Sequence, residues 1–549
     1  MRNKRTQSLC VIFIFSIAML LLLKLDIFRI DESGIHLSGN KAHPTVDYVE
    51  EALGVPVVED MSFLNGKELC TSGSNPGVLF EETMLPYDEE SETLYLSQSL
   101  ADSEWVGSLS TALDGYYLCA VRDEYWDRKQ EAIREGYPFE LFLVGDSDYY
   151  SLNLVVSGMP TLTIDTESKV QIQDGEELSG IIRVFNPDIG VEKYEIHESY
   201  VSYHIKGGTT RKFEKKGYAL KLQDKKGNNV AASLLGMRAD NSWKLNALYT
   251  DNNRIREKTA ADIWEQFCEA TPEVKQDGAR LEYVELIINN DYRGIYCLVE
   301  PIDEVKLGLD KNDVLYKVVG WTLPEQHEFF AAAEQGAYTA GGIRINYPNE
   351  MEDSAAAWYP MQDYSERFYE NPELDYEKAL STVDVRNLSD VFMFLMVTTA
   401  SDNDFKNLYF AAEVSEGNEY VMTQIPWDLD YTFGNYYDGG VVNLVAFDDS
   451  IDGLFADSTL PRLKFANLEE IGPAFLDRWN RYRESFLSTD AILELLQTNR
   501  DYVVETGALQ RDAARWPEVP VNGDITPLLQ YQMNRMLYLD DYFVRWATE

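Results

Sequence analysis

Ser401-Asp-Asn-Asp-Phe-Lys-Asn407 and Trp427-Asp-Leu-Asp-Tyr-Thr-Phe-Gly-Asn435 are the two stretches on which the reading of this chain turns. They set the carboxylates of Asp402, Asp428 and Asp430 and the amide of Asn407 around what read as two strands and a loop. Asp428 and Asp430 are two positions apart, so an extended backbone would put both on one face. Like charges that close are unfavourable unless a cation or hydrogen bonds offset them. The pair Phe433-Gly434 just beyond suits a tight turn at such a site. Turn and cap duty, the usual work of Asp and Asn in loops, accounts for the same residues and for Asn403. Asp404 reads as solvent-exposed. From the bare residues, metal ligation and turn chemistry both stand open.

Working outward, the next signal is a basic island. The 549-residue chain carries 93 acidic against 48 basic side chains, a formal charge of −45. Within it, the stretch from Lys206 to Lys221 holds Lys206, Arg211, Lys212, Lys215, Lys216 and Lys221 against the single acid Glu214. Its turn Gly207-Gly208-Thr209-Thr210 lets backbone amides approach an anion closely, although basic turns of this kind are common. Cations at one pole and carboxylates at the other are what metal-nucleotide chemistry requires. The Asp402-x4-Asn407 spacing is also that of a protein-kinase catalytic loop, where the Asp accepts a hydroxyl proton and the Asn holds a metal. Lys221, in the strand-like run Tyr218-Ala-Leu-Lys-Leu222, is placed like the kinase lysine that pairs nucleotide phosphates, with Lys216 as its competitor.

Composition bounds the rest. The length implies two or more domains, and 45% hydrophobic residues can fill large cores. The acidic balance argues against nucleic acid as a partner, since phosphate backbones are captured by surplus Lys and Arg. Arg2, Lys4 and Arg5 precede an apolar run from Leu9 to Leu23, with Lys24 after it. That pattern predicts a signal anchor over cleavage as a signal peptide, leaving the bulk of the chain outside the cytoplasm. Only five Cys and five His occur, so neither a disulfide framework nor a zinc site is expected. Cys70 and Cys119 are the pair available for a bridge in an oxidising compartment. Cys268 and Cys297 read as buried small hydrophobes, and Trp243 and Trp427 as core aromatics rather than stacking surfaces for a base.

Three regions are expected: residues 1–30 as anchor or signal, 31–175 as a stalk and small β-rich domain, and 176–549 as the main unit. Alternating runs such as Phe139-Glu-Leu-Phe-Leu-Val144 mark the β-rich part, with a helix near Tyr125 to Glu135. Beyond Gly180 come further strands, a helix over Ile255 to Glu269 and a hairpin across Asn289–Gly294. A helix over Asp384 to Thr399 leads into the first acidic stretch, and helices dominate after Asp449, including Ala474 to Phe486 and Ile525 to Trp546. Strands first and helices last predicts a two-lobed α+β architecture.

Several motifs occur in a distinctive order. They are Lys206-Gly-Gly-Thr-Thr-Arg211, Lys215-Lys-Gly-Tyr-Ala-Leu-Lys-Leu222, Leu234-Leu-Gly-Met-Arg-Ala-Asp-Asn-Ser-Trp-Lys-Leu-Asn-Ala247 and Arg254-Ile-Arg-Glu-Lys258, then Val284-Glu-Leu-Ile-Ile-Asn289, Arg293-Gly-Ile-Tyr-Cys-Leu-Val-Glu300 and the two acidic stretches. This set resembles the spore-coat protein H (CotH) kinase family over roughly residues 180 to 500. The resemblance implies an atypical two-lobed protein-kinase-like fold and transfer of phosphate from ATP, with Mg²⁺ or Mn²⁺, to Ser or Thr of a protein substrate. On that reading Asp402 is the catalytic base, and Asn407, Asp428 and Asp430 hold metal. Lys206, Arg211, Lys216 and Lys221 contact ATP, and Arg256 or Lys258 adds a further phosphate contact. A catalytically silent surface or coat scaffold is the alternative. A carboxylate-based glycoside hydrolase ranks last, because the basic island suits phosphate better than sugar.

Overall fold

The computed structural model describes residues 50–187, 195–371, 373–435 and 458–549, together with 30–31, 34–35, 453, 455 and 456. The apolar run Leu9 to Leu23 and most of the expected stalk lie outside the described residues. Among the described residues no helix is long and apolar enough to cross a membrane.

The β-rich region forms an eight-stranded sheet with a separate three-stranded sheet beside it. Phe139, Leu141 and Leu143 alternate into its core with Leu152, Leu154 and Val156 from the neighbouring strand, the period-two pattern of a half-buried strand. The four described cysteines are free thiols. Cys70 and Cys119 cannot pair here, because the strands Pro138–Val144 and Asp148–Ser157 lie between their own. Cys297 is buried as expected, while Cys268 is only partly covered.

A closed seven-stranded barrel follows, where sequence alone suggests only strands joined by turns. Its order is Thr161–Thr166, Glu177–Asn186, Glu195–Lys206, Gly217–Gln223, Ser242–Asn246, Asp291–Val299 and Leu281–Ile288. Parallel pairing of Thr161–Thr166 with Leu281–Ile288 closes it. Val201, Tyr203, Ile205, Leu220, Leu222, Trp243 and Leu245 point inward, so Lys206, Lys221, Lys244 and Asn246 stand on the outer face by alternation. Trp243 is a core residue, as predicted, and its indole N–H donates to the Asp240 carbonyl at 3.0 Å. The predicted hairpin is present, with Asn289 and Asn290 both in the left-handed conformation that a tight two-residue turn demands.

The helix Arg256–Ala270 packs on the outside of the barrel through Ile263, Trp264 and Phe267. Its first turn is fixed by Asp251, whose carboxylate accepts from the backbone N–H of Ile255 (2.6 Å) and Arg256 (2.7 Å). Beyond it, a five-stranded sheet contains Val314–Val318 beside the hairpin Leu408–Val414/Tyr420–Pro426. The helix Val385–Thr398 is apolar nearly all round and buried along its length, as a central helix must be. The Asp384 side chain caps its start, and Thr399 ends it at φ 50°. Asp390, in its middle, is satisfied by Arg478 (2.5 and 2.6 Å), Thr271 and Gln276.

The helix Ala508–Arg515 returns to clamp the barrel. Asp512 is fully buried and accepts from Lys215 Nζ (2.6 Å), Arg254 Nε (2.8 Å) and the Ile295 backbone N–H (2.9 Å). Gly294 permits this approach, since a Cβ there would stand 2.1 Å from Asp512 Oδ1 at a φ of +82°. Burial opposes ionisation, but the Arg254 and Lys215 cations overcome it and hold the carboxyl below the ordinary range. Burial pushes Lys215 down to about 7 although Asp512 pulls it back, so Arg254 is the cation charged throughout. Asp512→Asn leaves Arg254, and Lys215 when protonated, short of a counter-charge, and about 3–5 kcal/mol of stability is expected to go with it. The contribution of Asp512 is full above about pH 4, the unfolded carboxylate value, and disappears as pH falls through the lower folded value. Denaturant titrations at neutral and acid pH measure both, and a variant as stable as the wild type at pH 7 would contradict the clamp.

Candidate active site

The two acidic stretches meet through a buried amide and through the Ser401 N–H, which donates to the Tyr431 carbonyl at 3.2 Å. Asn403, fully buried, donates from Nδ2 to the carbonyl of Asn407 (3.0 Å) and to the carbonyl of Trp427 (2.8 Å). The Trp427 N–H donates in turn to the Asn407 carbonyl (3.1 Å), and the Asn407 N–H to the Val318 carbonyl (3.2 Å). Asn407 and Asp428 both have left-handed backbones, φ 58° and 60°, a strain that surrounding contacts must hold in place. Sequence reading assigned Asn403 to turn chemistry; its full burial beside two strand-end carbonyls is what makes it a bridge.

Asp402 Oδ2 accepts from Asn407 Nδ2 at 2.8 Å and from Lys406 Nζ at 2.7 Å. Because the amide nitrogen faces Asp402, the oxygen of Asn407 is the end left for a cation. Burial and the Asp428 charge raise the Asp402 carboxyl pKa, against the opposing pull of Lys406 and Asn407. Asp430 is driven further up, by burial first and then by Asp428, Glu257 and Asp402. The three predicted aspartates and Asn407 therefore do share one region, and their carboxylates repel one another. Among the described residues no group of three His, Cys, Asp or Glu is arranged to hold a metal ion. A set of Asp428, Asp430 and Asn407 would instead use two carboxylates and an amide, hard oxygen donors that suit Mg²⁺ or Mn²⁺. Asp404, expected to be exposed, is half-buried and lines a second hollow with Tyr369 and Phe405.

A cavity opens between the barrel and the acidic hairpin, lined by Lys206, Lys244, Asn246, Glu257, Trp264 and Asp428, with Leu281, Val299, Ile302 and Leu429 as apolar wall. Of the predicted basic residues only Lys206 lines it. Lys221 is exposed on the barrel's outer face, paired in register with Ser202 and Ser242. Lys216 donates to the Arg211 carbonyl at 2.7 Å, and Arg211 pairs with Asp174 at 3.1 Å. Arg256 is buried against Asp251, and Lys258 pairs with Asp262. Gly207, at φ +105°, lets the Thr210 hydroxyl fold back over the turn after Lys206, since a Cβ would meet it at 2.0 Å.

Two residues in the cavity, Lys244 and Glu257, were not singled out from sequence. Lys244 lies on the barrel strand Ser242–Asn246, and Glu257 in the first turn of the helix Arg256–Ala270, where Asn246 Nδ2 donates to it. Burial pushes the Glu257 carboxyl up to about 7, reinforced by Asp428. Burial and Lys206 push Lys244 down to about 8, while Asp428 and Glu257 pull it back. The alternation Trp243-in, Lys244-out was the available signal, one strand further on than the run that holds Lys221. Trp427 departs from its expected core role: its ring lies 4.9 Å from Lys244 Nζ and 3.5 Å from Lys317 Nζ. Among the described residues, none of the Lys206, Lys244 and Lys317 ammoniums forms an ion pair or hydrogen bond.

Asn403→Ala removes both amide bonds and leaves the Trp427 carbonyl short of a donor, while the Asn407 carbonyl keeps the Trp427 N–H, a cost of about 2 kcal/mol. A denaturation midpoint equal to the wild type would show that the two stretches do not depend on it.

A strand lysine, a helix glutamate and an aspartate around one cavity, with an Asp-x4-Asn loop within reach of that aspartate's charge, match residue types that recur in kinase sites. Comparison with curated proteins returns no match. A family model described as CotH kinase protein matches residues 203–539, further toward the C-terminus than the sequence motifs alone reach. The chain belongs to the CotH kinase family.

Proposed function

We propose that the protein is an ATP- and Mg²⁺-dependent protein kinase acting on Ser or Thr hydroxyls of protein substrates. The observation that carries this reading is the gathering of three ammoniums without ion pairs, Lys206, Lys244 and Lys317, against Asp428. Cation–π contact with Trp427 gives about 0.5–2 kcal/mol, less than the burial of an ammonium costs. An anion of several charges, such as a nucleotide phosphate chain, removes the imbalance.

On this reading Lys206 and Lys244 bind phosphate oxygens, and Glu257 orients Lys244. The apolar wall of Val299, Ile302 and Leu429 covers the base. Asn407, Asp428 and Asp430 hold Mg²⁺ or Mn²⁺, which neutralises charge on the phosphates when bound. Asp402, raised above the ordinary carboxylate range and held by Asn407 and Lys406, accepts the substrate hydroxyl proton. The hydroxyl oxygen bonds to the terminal phosphorus as the bond to the bridging oxygen breaks, and ADP leaves.

Radiolabel transfer from ATP to a Ser-rich protein tests the assignment. Asp402→Ala is expected to lower the rate about 10²–10⁴-fold, and Asp428→Ala and Lys244→Ala by on the order of 100-fold each. Lys221→Ala leaves it unchanged, because that side chain stands in solvent away from the cavity. Full transfer by both aspartate variants would remove the kinase reading. Undetectable ATP binding by the wild type with metal present would favour a silent scaffold. The N-terminal apolar run is read as an anchor that leaves the kinase unit outside the cytoplasm. External protease is then expected to digest the kinase unit on intact cells, and complete protection would reverse the orientation.

A further inference from the structure

Lys317 has no role in the assignments drawn from the motifs and does not itself line the cavity, yet its ammonium stands over the ring of Trp427, which does. It lies on the strand Val314–Val318, directly opposite Tyr409 in register. Tyr316 and Val318 point into the helical core. Leu315 and Lys317 therefore share the other face, where Leu315 packs with Ile302, Tyr409 and Ile425 beside Trp427. Lys317 Nζ stands 3.5 Å from the Trp427 ring centroid and 5.5 Å from that of Tyr409. Among the described residues it has no ion pair and no hydrogen bond. The adjacent residue, Val318, accepts the Asn407 backbone N–H, so Lys317 is built into the same rigid piece as Asp402 and Asn407. Lys206 and Lys244 belong to the barrel, across the cavity.

We propose that Lys317 binds the terminal phosphate of the nucleotide, the group being transferred, while Lys206 and Lys244 hold the inner phosphates. The argument rests on the kinase reading above and deepens it. Lys206 and Lys244 sit on barrel strands, apart from the piece that holds Asp402. A cation carried by the sheet that holds the base stays fixed relative to the attacking hydroxyl, where charge on the terminal phosphate oxygens must be balanced. No covalent bond is exchanged at Lys317. Burial, with Lys244 and Lys206, pushes its ammonium down to about 6 in the nucleotide-free protein against the pull of Asp428, and a phosphate in contact favours the charged form. Its cost to the nucleotide-free protein follows from the same geometry, because burial and two other lysines oppose its charge while Asp428 offsets only part of that.

Lys317→Met and Lys317→Arg in the full chain test this through three readouts. Calorimetry with Mg²⁺ present is expected to show ATP affinity falling about tenfold or more in the methionine variant, with ADP affinity unchanged. The turnover rate is expected to fall on the order of 100-fold, with a smaller change in KM. Arginine, which keeps the charge, restores most of both. In the absence of nucleotide the methionine variant melts at or above the wild-type temperature, since it removes a half-buried amine that has no ion pair or hydrogen bond among the described residues and keeps the apolar stem. Equal losses for ATP and ADP, an unchanged ATP affinity and turnover, or a lower melting temperature each overturn the proposal. A wild type that binds no ATP would instead overturn the kinase reading beneath it.

Discussion

The side-chain amide of Asn403 is the point at which two separate stretches of chain become one site. It donates to the carbonyl before the strand Leu408–Val414 and to the carbonyl that follows Tyr420–Pro426. That helps fix the distance between Asp402-Asn407 and Asp428-Asp430, which are joined as well by the hairpin and by the Ser401 N–H donating to the Tyr431 carbonyl. The fixing matters because the carboxylates so gathered repel one another, and Asp428 occupies a left-handed backbone that an aspartate reaches only at a cost. The rest of the fold holds the ends of this assembly. Gln532 Nε2 and Arg535 Nε, from the helix Thr526–Trp546, donate to the last carbonyls of the helix that leads into residue 401.

Charge organises the cavity more than shape does. Each pole is unfavourable alone: ammoniums without ion pairs on one side, crowded carboxylates on the other, with Lys244 and Glu257 pushed toward their neutral forms. A metal-nucleotide complex brings the missing charge of both signs, which is why the two poles support one another as an argument for phosphoryl transfer. The buried clamp at Asp512 shows the contrasting case. There Lys215, another member of the basic island, is already matched within the protein and has nothing left to offer a ligand.

Much of this was legible in the sequence, for identifiable reasons. Long periodic helices, the Asn-Asn turn and the acidic motifs carry local signals, and the structure has them within a residue or two at most helix ends that their caps define. The basic island was a less faithful guide. Local charge density does not say which way each side chain points: Lys206 lines the cavity, Lys215 is buried in a clamp, and Arg211 and Lys216 satisfy neighbours. Lys244 and Lys317 were hidden because each is a single cation in an apolar strand, and their meeting at Trp427 depends on two strands far apart in sequence. The closing of the barrel, made by a parallel pairing between residues 161–164 and 285–288, is likewise a long-range fact without a local signature.

The most direct measurement of the central claim is a crystal structure with Mn²⁺ and a non-hydrolysable ATP analogue, the metal located by its anomalous scattering. The account predicts manganese at Asp428 and Asn407, phosphate oxygens against Lys244 and Lys206, and the base between Val299, Ile302 and Leu429. Phosphates bound instead on the outer face at Lys216 and Lys221, with no metal at Asp428, would contradict it.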